Sequence, residues 1–179
     1  MVSGSLRKGS TNTALLRTAA TLDHPGVEAV LYTALADLPH FNPDDDPLGG
    51  TPPAPVVELR AALEGADAIL FSTPEYAGAL PGSFKNLLDW SVGGGETYGM
   101  PVAWVNTAGP ASPSGAADAH ASLRKVLGYT GAQIVEAACV RIPVARNTLG
   151  ADGLITAPRI HQQIRRVLIA LAGAAAPPR

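Results

Sequence analysis

Continuous apolar runs alternate along this chain with segments whose apolar residues recur at helical spacing, and this alternation restricts the fold more than any other feature. Residues 27–31, 68–72 (AILFS), 101–106 (PVAWVN) and 133–142 (QIVEAACVRI) read as strands. An unbroken apolar run marks a strand covered on both faces, as in a parallel sheet. Between the runs, Leu15, Ala19 and Leu22 share the face of a helix starting near Thr11, and 57–63 reads as a second helix stopped by Gly65. Phe84, Leu87, Leu88 and Trp90 mark a third, entered through Pro81 and Gly82, while Ala119, Leu123, Val126 and Leu127 mark a fourth closed by Gly128. Ile160, Ile164, Val167, Leu168 and Leu171 give the cleanest stripe, with Thr156 as the expected N-cap and Pro158 in the first turn. Strands joined through helices need right-handed crossovers, so the expected fold is α/β, a doubly wound parallel sheet with helices on both faces. The alternation asks for a strand ahead of Ser3, where only Met1 and Val2 stand, so the first strand is expected to be truncated.

At 179 residues the chain suits one domain, expected over 1–172, with a surface loop at 37–55 and a disordered tail at 173–179. The formal charge of −2 and the absence of a Lys/Arg cluster argue against a nucleic-acid groove. Cys139 is the only cysteine, which rules out an internal disulfide and a site of several thiolates, and its strand pattern reads as buried and inert. No apolar run reaches signal-peptide or membrane-span length, so the expected location is the cytoplasm, with no membrane partner. His24, His40, His120 and His161 form no metal-binding pair. Asp44, Asp45 and Asp46 lack the glycine and distal Glu of a calcium loop and read as a solvated stretch, so no metal is expected. No GxSxG elbow or Ser–His–Asp order supports a hydrolase.

The first loop, Ser3 to Asn12 (SGSLRKGSTN), precedes a helix. Small residues let its backbone turn tightly and bring N–H groups to an anion, and the helix points its positive end there. Ser5, Ser10 and Asn12 add neutral donors, and Arg7 can grip phosphate oxygens in pairs. The same residues also suit ordinary helix capping by Ser10 or Thr11, with Arg7 in solvent. Neither a Walker loop nor a GxGxxG fingerprint is present.

After the 68–72 run comes STPEYAGALPGSFKNLLDW, from Ser72 to Trp90. This segment resembles the PEYNxxxPGxLKNxxDW signature of the NAD(P)H-dependent FMN reductases, and the first loop resembles that family's GSLRxxSxN phosphate site. The resemblance implies a flavodoxin-like, five-stranded version of the doubly wound sheet. It places FMN at the switch point where the first and third strands diverge. Pro74, Glu75, Tyr76 and Ala77 are then expected to turn backbone groups toward the pyrimidine edge of the flavin, with Gly78 permitting close approach. Ala77 stands where the family usually has Asn, which removes a side-chain amide. Trp90 falls on the apolar helix face and reads as core.

Asn106, Thr107 and Gly109 follow the next strand and, by the same resemblance, border the ribityl chain and the dimethylbenzene side of the ring; a plain flexible connection fits them too. The implied activity is hydride transfer from NADPH or NADH to bound FMN and on to a small oxidant, such as a flavin, a quinone, an azo compound or a metal oxyanion, in ping-pong order. No catalytic acid or base is expected from the protein, because the cofactor carries the chemistry. The resemblance also implies a homodimer or homotetramer. Two other readings remain open: an FMN electron carrier without enzymatic turnover, and a flavin-free domain that keeps only the fold.

Overall fold

The computed structural model describes residues 1–109, 112 and 114–175. Five parallel strands form its sheet: β1 (Val2–Ser3), β2 (Ile69–Ser72), β3 (Pro101–Asn106), β4 (Gln133–Ile134) and β5 (Val140–Arg141). β1 pairs with β2, β2 with β3, and β3 with both β4 and β5. The helices are α1 (Thr11–Thr21), α2 (Ala54–Glu64), α3 (Gly82–Gly94), α4 (Ala117–Tyr129) and α5 (Pro158–Ala172).

Period-two alternation along the strands divides the core. Ile69, Phe71, Val102 and Trp104 point to the side covered by α2, α3 and α4, where they meet Leu59, Phe84, Leu87, Trp90 and Leu123. Leu70, Ala103 and Val105 point the other way and meet Leu15 and Leu16 of α1 and Ile160, Ile164 and Leu168 of α5. β2 and β3 are buried along their whole length, which is why their sequences are apolar throughout. Trp90 is a core residue as expected; it is fully buried, lies edge-on to Phe41 at 5.0 Å, and its indole N–H donates to the Pro39 carbonyl at 2.8 Å. Burying a ring of this size contributes about 3 kcal/mol.

Three local expectations are corrected. Residues 27–31 do not form a strand. Only Tyr32 bridges Val2, its N–H donating to the Met1 carbonyl at 2.9 Å, because the two-residue β1 offers no longer ladder to pair with. The 133–142 run is two strands rather than one. A 3-10 turn at Glu136–Ala138 separates them, turning Glu136 out to Arg124 and Ala138 into the core. Thr156 does not cap α5; Ala157 holds that position, and the Thr156 hydroxyl donates to the Thr148 carbonyl at 3.0 Å. In the expected tail, Gly173 caps α5 and Ala174 and Ala175 continue in turns, while 176–179 lie outside the described residues.

Two of the histidines serve as structural groups. His24 donates to the Ala19 carbonyl at 3.0 Å and His161 to that of Ile155 at 2.6 Å. Asp44 and Asp45 are solvated, but Asp46 is not: Arg60 donates to it at 2.7 Å and to the Trp90 carbonyl at 2.9 Å, and also lies 3.4 Å from Glu96. Cys139 is half-buried, and burial pushes its thiol pKa up. Among the described residues no helix is long and apolar enough to cross a membrane, and no cluster of three metal-ligating side chains occurs.

Candidate functional site

A cleft of about 660 Å³ opens at the carboxyl ends of β1, β2 and β3. Parallel strands direct their following loops to one edge, so three loops distant in sequence meet there. Of the expected site residues, Ser5, Arg7, Ser10, Asn12, Pro74, Glu75, Tyr76, Gly78, Asn106, Thr107 and Gly109 all line the cleft. Ala77 sits at the exposed tip beside it.

The first loop is pinned before it reaches α1. Gly4 donates its N–H to the Ser72 carbonyl at 2.8 Å, and a Cβ there would fall 2.5 Å from the Thr73 hydroxyl and 2.9 Å from the Phe84 ring. Only glycine allows so close a passage. Ser5 accepts from the Arg7 N–H at 3.3 Å, and Arg7 itself extends into solvent. Ser10 is the N-cap of α1 and accepts from the Thr13 N–H, so the capping role and the cleft position coincide. Asn12 is buried and accepts from the Ser72 hydroxyl at 2.9 Å, tying the start of α1 to the end of β2.

The second loop is a tight hairpin. Tyr76 and Ala79 exchange N–H···O bonds at 3.1 Å in each direction, with Ala77 and Gly78 between them at φ 51° and 70°. The Pro74 carbonyl accepts from the Thr73 hydroxyl, and Tyr76 is 49% exposed. Glu75 is not the solvated acid that its loop position suggests. Its carboxylate accepts from the Ser114 hydroxyl at 2.5 Å and from the N–H groups of Asp118 and Ala119 at 3.1 Å each. It thereby caps α4, whose own N-cap residue, Ala116, has no side-chain acceptor. The Ser114 bond, reinforced by these two N–H groups, holds the Glu75 carboxyl below its usual pKa against the opposing pull of desolvation.

The third loop is braced from within. Asn106 is buried, donates to the Thr73 carbonyl at 2.9 Å and accepts from the Ala108 N–H at 2.6 Å, so it staples β3 to β2. The Thr107 hydroxyl meets that of Thr11 at 2.8 Å. Arg141 donates to the carbonyls of Ala108 and Gly109 at 2.9 and 2.7 Å.

Sequence reasoning missed Thr11, Ser114, Asp118 and Arg146 in the cleft wall. Thr11 was legible as the residue after the Ser10 cap. The other three belong to segments without motif, and only the fold brings them in. The cleft has unlike ends: cationic Arg7 and the start of α1 at one, and Glu75, Asp118 and the hairpin at the other.

A family model described as NADPH-dependent FMN reductase matches residues 1–147. An NAD(P)H-dependent FMN reductase of Pseudomonas aeruginosa is 35% identical over 172 residues, covering 95% of this chain and 90% of that protein. An NAD(P)H:quinone oxidoreductase of Solanum tuberosum is 29% identical over 172 residues, covering 94% and 87%. Among solved structures, the flavoenzyme NAD(P)H:(acceptor) oxidoreductase FerB of Paracoccus denitrificans superposes with a TM-score of 0.76 at 30% identity, covering 97% of this chain and 94% of that one. Fold, motifs and full-length similarity agree, and the chain belongs to the NADPH-dependent FMN reductase family.

Proposed function

We propose that this protein is an NAD(P)H-dependent FMN reductase that passes electrons from NADPH or NADH to a small acceptor such as a flavin, a quinone, an azo compound or a metal oxyanion. The observation that carries this reading is the convergence of both family motifs on one cleft with a cationic end. FMN held in this cleft would supply the redox chemistry, as acceptor of hydride from reduced nicotinamide and donor of electrons to the small oxidant.

The residues present fit that cofactor. The start of α1 supplies a helix N-terminus, and Ser5, Arg7, Ser10 and Asn12 surround it, a set suited to a phosphate dianion. At the other end, the Pro74 carbonyl and the amide and carbonyl of Tyr76 are engaged within the loop. The N–H and carbonyl groups of Glu75, Ala77 and Gly78 have no partner among the described residues and are left to meet the pyrimidine edge, with Tyr76 framing that end by its ring. Backbone donors fixed in a hairpin stabilise negative charge on a reduced ring with little reorganisation. Thr107 faces the ribityl region through its hydroxyl, while Asn106 acts through the backbone it braces and Gly109 through the backbone that Arg141 holds. No side chain is assigned as a proton donor to the reacting atoms. Residues 1–172 form the single functional domain. A cytoplasmic homodimer or homotetramer is the assembly that family membership favours, and light scattering tests its size.

The experiment is an anaerobic absorbance titration. Protein mixed with FMN should perturb the flavin bands, and NADPH or NADH should bleach them. Binding without bleaching by either nucleotide would leave an electron carrier, and no binding would leave a flavin-free domain.

A further inference from the structure

Arg146 is a cleft-lining cation that neither motif assigns. It opens the 3-10 turn Arg146–Thr148, beyond β5. Two residues earlier, the Val144 N–H donates to the Thr107 carbonyl at 3.2 Å, and the Thr107 hydroxyl meets that of Thr11, the first residue of α1. The turn therefore stands against the wall that carries the α1 N-terminus. Three other arginines are committed elsewhere: Arg141 to the Ala108 and Gly109 carbonyls, Arg17 to that of Asp152, Arg124 to Glu136. Arg146 is exposed, its carbonyl accepts from the Leu149 N–H, and its guanidinium has no hydrogen bond or ion pair among the described residues. The carboxylates of the cleft cannot neutralise it from where they stand. Glu75 is taken up by α4, and a Cβ on Gly78 would lie 4.0 Å from the Asp118 carboxylate, at the hairpin end.

An unpaired guanidinium beside a helix N-terminus, facing the same cavity as Arg7, has the chemistry of a phosphate contact. Its planar fork donates to two oxygens at once, and two such forks match the charge of a phosphate dianion. We propose that Arg146 is a phosphate-binding residue of this cleft. The phosphate is either the terminal one of FMN or one carried by the reduced dinucleotide. The assignment rests on the reductase reading above.

Fluorescence titrations of FMN and riboflavin into wild type, Arg146→Ala and Arg146→Lys, with KM for NADPH and NADH, test it. If the flavin phosphate is the partner, Arg146→Ala weakens FMN by about tenfold or more and leaves riboflavin unchanged. If the dinucleotide is the partner, FMN affinity holds while KM for the nucleotide rises by a similar factor. Arg146→Lys should fall between wild type and Arg146→Ala in whichever quantity moves. Unaltered FMN affinity and unaltered KM in Arg146→Ala overturn the assignment while the reductase reading stands. Wild-type protein that failed to bind FMN would overturn both.

Discussion

Ala77 and Gly78 occupy the two central positions of a hairpin turn in which both φ angles are positive. That geometry belongs to the type I′ turn, where Asn-Gly is favoured and a Cβ without a local hydrogen bond is strained. The family's usual Asn at this position is thus explained by the backbone, with no substrate contact required. Ala77→Asn should raise stability by about 0.5–1 kcal/mol, read from the urea midpoint. Glu75 carries a second expectation at this scale. Removing an N-cap costs about 1 kcal/mol, so Glu75→Ala should lower stability by that amount and weaken FMN binding by loosening the hairpin. The pH dependence has a definite sign. The folded carboxyl has a pKa below the ordinary 4.5, so its contribution is complete above that value and fades as pH falls through the lowered one. Acid titration of wild type and Glu75→Gln by circular dichroism should therefore show the two stability curves converging only in the acid range.

Among elements, Arg60 of α2 joins Asp46 of the preceding loop to Glu96 beyond α3, and all three side chains are largely removed from water. Burial raises the Glu96 pKa, Arg60 opposes that rise, and one Glu96 oxygen has no partner among the described residues. Arg60→Ala would leave two buried carboxylates uncompensated and should cost about 3 kcal/mol at neutral pH. A carboxyl with a raised folded pKa gives stability that is present in acid and lost as pH rises through that value. The deficit should therefore shrink in denaturant titrations as the pH is lowered from neutral. Elements with their own periodicity were legible in the sequence: β2, β3, α3 and α5 follow directly from it. The 27–31 segment was not, because whether an edge segment becomes a strand depends on the length of its partner β1. The break between β4 and β5 was hidden by an unbroken apolar run. In the site, the residues within motifs could be read in order, since each loop is continuous. Ser114, Asp118 and Arg146 could not, because their roles arise from contacts across loops.

Over the whole molecule, charge is sorted by position. All Asp and Glu residues except Glu136 and Asp152 fall between Asp23 and Asp118, where only Arg60 and Lys85 are basic. α1 and α5, which cover one face of the sheet, contain no acid at all. The small net charge conceals this polarity, and the cationic end of the cleft lies next to α1. Such a field should draw in anionic nucleotides and be screened by salt. Steady-state assays should show kcat/KM for NADPH falling several-fold from low to about 0.3 M salt, with little change for an uncharged quinone. The Glu75 carboxylate, finally, bolts the hairpin to α4, so these two banks of the cleft can only shift together. A guest molecule therefore meets those two banks as a single wall, already fastened before it arrives.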